Sequence, residues 1–461
     1  MSFLKYTFLG ILLICFESTI FAQQKTKNIS PIGVFDSGTG GLTVLEAMLT
    51  LDAYNNKTGQ PGADGKPDFQ SEYFQYLADQ ANMPYGNYAG EKKTKLLQEH
   101  VIKNMDFLLK NKFDQQASQT EAKKEGVKML VLACNTATAY ALNEVKEFSK
   151  KQTNSVPVVG VINAGVKAAL AYQSSHEKGT IGVFATAGTV ASDGYPKTIL
   201  AMARQLNMPA PSIVSQGGYG LADAIDRDYS FFAENANTYR SDYKGPSMKS
   251  NTYPIDTSLL NIYNFNKLNN KLLCEFDDTG KCLDIQLNDP ENYVRYHLVS
   301  LLEKMKKEKY AVPMNTLILG CTHYPFMRDT IRNVLNELYH LKQNGNYLYR
   351  SVLAEHVELI DPSVETAKEA YVELRKMQLF NESPKMKNNF FITVPNKSLT
   401  EVKLQSDGWF TYEYKYGRVE NQNKKYVNFV PFDQNNISSA TYERIKVALP
   451  NVYQQIILSK Q

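Results

Sequence analysis

Cys134 and Cys321 stand in matching settings, Ala133-Cys134-Asn135-Thr136 and Gly320-Cys321-Thr322-His323. Each follows a short apolar run, Met129-Leu130-Val131-Leu132 before the first and Thr316-Leu317-Ile318-Leu319 before the second. Such runs read as buried strands of a parallel sheet, and open α/β sheets place their chemistry just past a strand end. Two thiols so placed suit proton transfer at carbon. One withdraws a proton and the other returns one from the opposite face, which inverts a stereocentre with no cofactor and no metal. A lone buried cysteine is more often an inert core residue. The mirrored pair reverses that balance.

The elements that would position these thiols are also duplicated. Ile32-Gly33-Val34-Phe35 recurs letter for letter at Ile181-Gly182-Val183-Phe184. Both copies open into loops of small and hydroxyl residues, Asp36-Ser37-Gly38-Thr39-Gly40-Gly41 and Ala185-Thr186-Ala187-Gly188-Thr189. The expected fold is α/β, with two pseudo-symmetric lobes whose mainly parallel sheets face each other across an active-site cleft. Strands are expected at 73–77, 156–162, 212–214 and 359–363, and helices at 42–51, 92–110, 166–172, 293–307 and 364–377. Towards the C-terminus, 390–394, 409–416 and 426–430 alternate like strands, and a helix is expected over 439–447. Residues 55–68 are a Gly/Pro/Asn-rich loop insertion, and 228–292 are too long and aperiodic for an ordinary connection.

Pro31-Ile32-Gly33-Val34-Phe35-Asp36-Ser37-Gly38-Thr39-Gly40-Gly41-Leu42-Thr43-Val44 resembles the opening motif of the glutamate racemases, in the aspartate/glutamate racemase superfamily. Four segments come after it in that family's order: Asp79 to Gly86, Ala133 to Ala137, Gly188-Thr189 with Ser192 and Tyr195, and Leu319 to Pro325. The resemblance spans about Pro31 to Ser363. It implies a first lobe of residues 31–157 and 358–461, including a C-terminal extension, and a second lobe of 158–357 with an insertion at about 228–292. It implies Cys134 and Cys321 as the two bases, with Asp36 serving the Cys134 side and His323 the Cys321 side. Around the substrate it places Asp36, Ser37, Pro84, Tyr85, Gly86, Asn135, Thr136, Thr189, Thr322 and His323. Read on their own, Ser37, Asn135, Thr136, Thr189 and Thr322 can bind the carboxylates and ammonium of a small acidic amino acid. Asp36 could equally cap the helix after the glycine loop. That loop lacks the Gly-Lys-Ser/Thr ending of a phosphate-binding P-loop.

Two departures stand out. Asn163-Ala164 occupies a place where the family usually carries Glu-Pro, removing an auxiliary acid that bears on pKa tuning and rate. Gly218 stands where many members have a cysteine before proline.

Composition narrows the reading. A net charge of +4 on 461 residues, with scattered Lys and Arg, points to no nucleic-acid partner. Lys5, the apolar stretch Tyr6–Phe16 and the small residue Ala22 before Gln23 have the layout of a signal peptide over 1–22, cleaved after Ala22. The chain would then be exported, periplasmic or secreted, with no stable membrane span after cleavage. Ile14 in Leu12-Leu13-Ile14-Cys15 replaces the small residue of a lipoprotein box. Cys274 and Cys282 sit close enough to close a disulfide, or are ordinary thiols. Glutamate racemases supply D-glutamate for peptidoglycan precursors of the cell wall, so export is unusual for the family. A homodimer is one assembly the resemblance allows. The main expectation is a cofactor-independent racemase acting on glutamate. Its rivals are an aspartate or broad-specificity amino-acid racemase and an exported, non-catalytic amino-acid-binding protein.

Overall fold

The computed structural model describes residues 29–114, 121–381, 387–406, 408–422 and 424–460. The signal peptide expected over 1–22, with Cys15, lies outside them. The sheet strands in chain order are β1 (Ile32–Asp36), β2 (Phe74–Ala78), β3 (Met129–Leu132), β4 (Val158–Gly160), β5 (Thr180–Ala185), β6 (Ile213–Gly217), β7 (Met314–Gly320), β8 (Leu353–Ile360), β9 (Asn389–Pro395) and β10 (Val427–Pro431).

Two sheets result. The first runs β10-β9-β2-β1-β3-β4 and the second β8-β7-β5-β6. Every pairing in them is parallel except β9 with β10. β1, β3 and β5 are buried along their whole length, as parallel strands covered by helices on both faces must be. The repeated Ile-Gly-Val-Phe therefore forms an inner strand of each sheet. Each cysteine sits just past the strand beside it.

One apolar cluster joins the lobes, taking Val34 and Val131 from the first sheet, Ile181 and Ile318 from the second, and Val166 and Tyr371 from the helices between. The outer face of the second sheet carries its own core of Phe184, Leu317, Leu319, Val299 and Leu302. Part of the 228–292 stretch joins that core through Tyr263, Phe265, Leu273 and Leu287. Within it, Cys274 and Cys282 are joined as a disulfide across the hairpin Leu272–Phe276/Cys282–Leu287, with a Cα–Cα separation of 5.7 Å.

The structure redraws several sequence boundaries. β4, expected to open the second lobe at 158, pairs with β3 and closes the edge of the first sheet. β8 pairs with β7 through Ile360, so residues 358–360 stay in the second lobe's sheet. The strand expected over 156–162 keeps three residues because Val161 already begins the helix Val161–Ser175. Residues 409–416 do not form a strand. The Thr411 hydroxyl accepts from Tyr414 N and caps the helix Tyr412–Gly417, whose Tyr412 and Tyr416 rings pack one turn apart.

Candidate active site

All the residues singled out from sequence border one cleft of about 660 Å³: Asp36, Ser37, Pro84, Tyr85, Gly86, Cys134, Asn135, Thr136, Thr189, Cys321, Thr322 and His323. The cleft lies at the carboxyl ends of β1, β3, β5 and β7, as an open parallel sheet dictates.

On the first lobe, Asp36 ends β1 with its carboxylate turned back on the glycine loop. Oδ2 accepts from Gly38 N at 3.2 Å and from Gly41 N at 2.9 Å. Asp36 thus braces the glycine loop rather than capping the helix Leu42–Thr50, whose N-cap is Gly41 with no side-chain cap bond, and it lines the cleft as well. Gly40 is where this loop meets the other lobe: a Cβ there would lie 2.5 Å from Thr322 Oγ1 and 3.6 Å from His323 Cε1. Gly40→Ala is expected to push the loop off Thr322 and lower turnover at least about tenfold, since small misplacements cost orders of magnitude. Steady-state kinetics beside a melting curve checks this; unchanged kcat would show that the loop yields freely.

Cys134 comes directly after β3 and caps the helix Asn135–Lys150, its Sγ accepting from Ala137 N at 3.5 Å. The same sulfur donates to Ser37 Oγ at 3.4 Å. Burial, reinforced by the Asp36 carboxylate, pushes the thiol up to about 12. Cys134 is thus a neutral acid at physiological pH. Its carbamidomethylation at pH 8 is expected to run at least ~100-fold slower than that of a free cysteine. Peptide mass mapping after timed iodoacetamide treatment checks this, and rapid labelling would contradict it.

The second lobe is wired differently. His323 Nδ1 stands 3.7 Å from Cys321 Sγ, and Nε2 stands 3.0 Å from Asp226 Oδ2. Burial disfavours the imidazolium, but Asp226 and Cys321 outweigh it and push His323 up to about 10. Asp226 in turn is held below the usual carboxylate range: His323 and Arg444 more than offset its burial. Arg444, on the helix Ser439–Ala448, is ion-paired with Asp226 and donates to Thr39 Oγ1 at 2.6 Å. Arg444 Nη1 also lies 3.2 Å from His323 Nε2, so both donors converge on the one carboxylate.

The remaining residues are set by local networks. Tyr85 lines the cleft, but its hydroxyl is committed to Asp79 Oδ2 at 2.5 Å, in a buried cluster with Asn82, Asn104 and Thr393. Asn135 Oδ1 accepts from the buried Tyr195 hydroxyl at 2.9 Å. Thr189 Oγ1 accepts from Thr186 at 3.0 Å. Gly218 has a reason in packing, because a Cβ there would sit 2.1 Å from the Tyr324 hydroxyl, which donates to Gly218 O.

No family model matches the chain. Curated relatives do. A glutamate racemase of Levilactobacillus brevis is 26% identical over 351 residues, covering 76% of this chain and 81% of that protein. One of Enterococcus faecalis is 27% identical over 378 residues, covering 82% and 91%. Over about three quarters of its length the chain is similar to these glutamate racemases. A solved glutamate racemase isoform of Bacillus anthracis overlays loosely, with a TM-score of 0.45 at 23% identity, covering 79% of this chain and 88% of that one.

Two groups of the racemase site carry no signal in the sequence. The acid missing at Asn163 suggested that the site lacks an auxiliary carboxylate; Asp226, at the end of the short helix Leu221–Ile225, supplies one against His323. Arg444 lies in the C-terminal extension, for which the resemblance offers no counterpart, and nothing in its local pattern marks it. Trp409, from the same extension, also lines the cleft.

Proposed function

We propose that this amino-acid racemase interconverts L- and D-glutamate by two-base proton transfer between Cys134 and Cys321. The observation that carries the reading is the placement of two free, buried thiols, one after β3 and one after β7, on a single cleft. The substrate α-carboxylate fits the N–H groups at the start of the helix Asn135–Lys150, where the helix dipole favours negative charge. The cycle starts with Cys134 as the thiol and Cys321 as the base, 3.7 Å from His323 Nδ1. The Cys321 thiolate takes the α-proton, and the Cys134 thiol gives its proton to the opposite face of the carbanion. The product state holds the thiol on Cys321 and the thiolate on Cys134, ready for the reverse direction. The substrate ammonium offsets the negative charges of Asp36 and the nascent Cys134 thiolate. Asp226 and Arg444 act through His323 as positioning residues.

The test is incubation of the reduced protein with L-glutamate in D2O, following α-proton loss by NMR and optical rotation together. Exchange that keeps pace with loss of rotation supports the proposal. Absence of exchange with glutamate, aspartate and a panel of other amino acids would favour the binding-protein reading. A broader substrate range has one observation in its favour: a cleft of about 660 Å³ falls in the range that accepts drug-sized ligands.

We also propose that the chain works outside the cytoplasm. The leader-like composition of 1–22 and the Cys274–Cys282 disulfide both suit an oxidising compartment. A mature N-terminus at Gln23 by mass spectrometry is the expected result, and retention of residues 1–22 in the mature protein would refute it.

A further inference from the structure

The cleft is longer than a free glutamate needs. Cys134 follows β3 and Asp36 ends β1, while Gln80 and Met83 come after β2 and Trp409 lies in the segment after β9. All of them line the one cleft. The sheet order β9-β2-β1-β3 sets these strand ends side by side. Neighbouring strands lie about 4.8 Å apart, so the carboxyl end of β9 stands about 14 Å from that of β3. From its α-carbon, the side chain of glutamate reaches only about 5 Å, through three carbon–carbon bonds and an oxygen. With the α-carboxylate at the helix after β3, a free glutamate ends short of Trp409.

The far part of the cleft has a wall of its own, and the C-terminal extension builds it. Trp409 is half-buried and packs against a small cluster of Ala81, Phe410 and Tyr426. Its backbone is held as well: Gln405 N donates to Trp409 O at 2.8 Å, and Leu404 bridges Phe410. Asn436 and Ser438, just before the helix Ser439–Ala448, line the cleft too.

Charge narrows what this wall can face. Among the described lining residues Asp36, Asp223 and Asp226 bring carboxylates, and Arg444 is the one lysine or arginine. Arg444 is already ion-paired with Asp226 and donates to Thr39. A second substrate carboxylate would therefore add to three acids and meet no other lysine or arginine. A neutral amide suits the same surface, where Gln80 and Asn436 offer both donors and acceptors.

We propose that the preferred substrate is a glutamyl unit whose side-chain carboxyl is joined through an amide to a flat, apolar group. This deepens the racemase reading and rests on it. The α-ammonium and α-carboxylate stay free, so Cys321 takes the α-proton and Cys134 returns one as before. No bond of the amide forms or breaks. The amide meets Gln80 and Asn436, and the flat group lies against the indole of Trp409.

The test compares γ-L-glutamyl anilide, L-glutamine and L-glutamate with the full-length protein in D2O, following α-proton loss and optical rotation. The anilide is expected to racemise with kcat/KM at least ~5-fold above glutamine, the gain from one aromatic pair and its burial, and above glutamate. Trp409→Ala is expected to lower the anilide-to-glutamine ratio of kcat/KM about 5-fold. A ratio within one protein is insensitive to the fraction that folds, and should the variant not fold at all, the parent's ordering of the three compounds decides. Glutamate racemising while the anilide stays inert would overturn the proposal and leave the racemase reading standing. So would an anilide no better than glutamine, or a ratio that Trp409→Ala leaves unchanged. No exchange with any of the three would overturn both readings together.

Discussion

Cys134→Ala and Cys321→Ala are each expected to lower racemisation about 1000-fold, within the range for loss of a positioned acid or base. The two losses should differ in kind. With Cys134 gone, the Cys321 thiolate can still remove the α-proton presented to it and return a solvent-derived proton to the same face. That variant should exchange deuterium into one enantiomer of glutamate with retention, and Cys321→Ala should lose exchange of that enantiomer. Proton NMR in D2O on separate L- and D-glutamate samples reads both effects. Racemisation by both single variants at the parent's rate would exclude the two-thiol mechanism. Far-ultraviolet circular dichroism beside each assay separates lost chemistry from a collapsed fold. Each alanine removes only one sulfur from a site that borders open space, at the cost of about 1 kcal/mol or less of packing.

The catalytic half of the molecule was legible because its signals are local. A buried parallel strand must be apolar along its whole length, so β1, β3, β5 and β7 were visible as runs, and the cysteines were visible as the residues just past two of them. Lobe boundaries were less legible. Nothing in Val158–Gly160 says whether it adds to β3 or starts a new sheet, since either edge would bury it. The groups that act through other residues were invisible for a related reason. Asp226 and Arg444 are brought together from positions 226 and 444, and the ion pair that makes them meaningful exists only after the chain returns over the first lobe. The alternation over 409–416 misled because period-2 spacing of rings also arises by chance in a short segment, and the Thr411 cap then decides for helix.

Asp226→Asn should expose how much of the chemistry depends on that return. In the parent, Asp226 and Cys321 overcome burial to push His323 up to about 10, so the imidazolium persists through the physiological range. Without the carboxylate, burial is opposed by Cys321 alone, and His323 should fall from about 10 towards the ordinary imidazole value of about 6.5. The alkaline limb of kcat/KM, which reports the free enzyme, should then move down from near pH 10 towards about pH 6.5. At pH 8.5 that is a loss of up to about 100-fold, shrinking towards about pH 6, where a merely structural lesion would leave no such recovery. Stability obeys the same linkage. A group whose pKa is raised by folding contributes stability that is full below its unfolded value and lost as pH rises through its folded one. The parent should therefore exceed the variant most at or below about pH 6.5, by roughly a few kcal/mol in the pH-dependent part, with that part vanishing above about pH 10. Arg444→Met should not lower this limb: it removes a cation 3.2 Å from His323 Nε2 and leaves Asp226 paired with His323 alone, both of which favour the imidazolium. An activity profile for Asp226→Asn that merely scales down, with its alkaline limb still near pH 10, would show that His323 does not need this carboxylate to stay protonated.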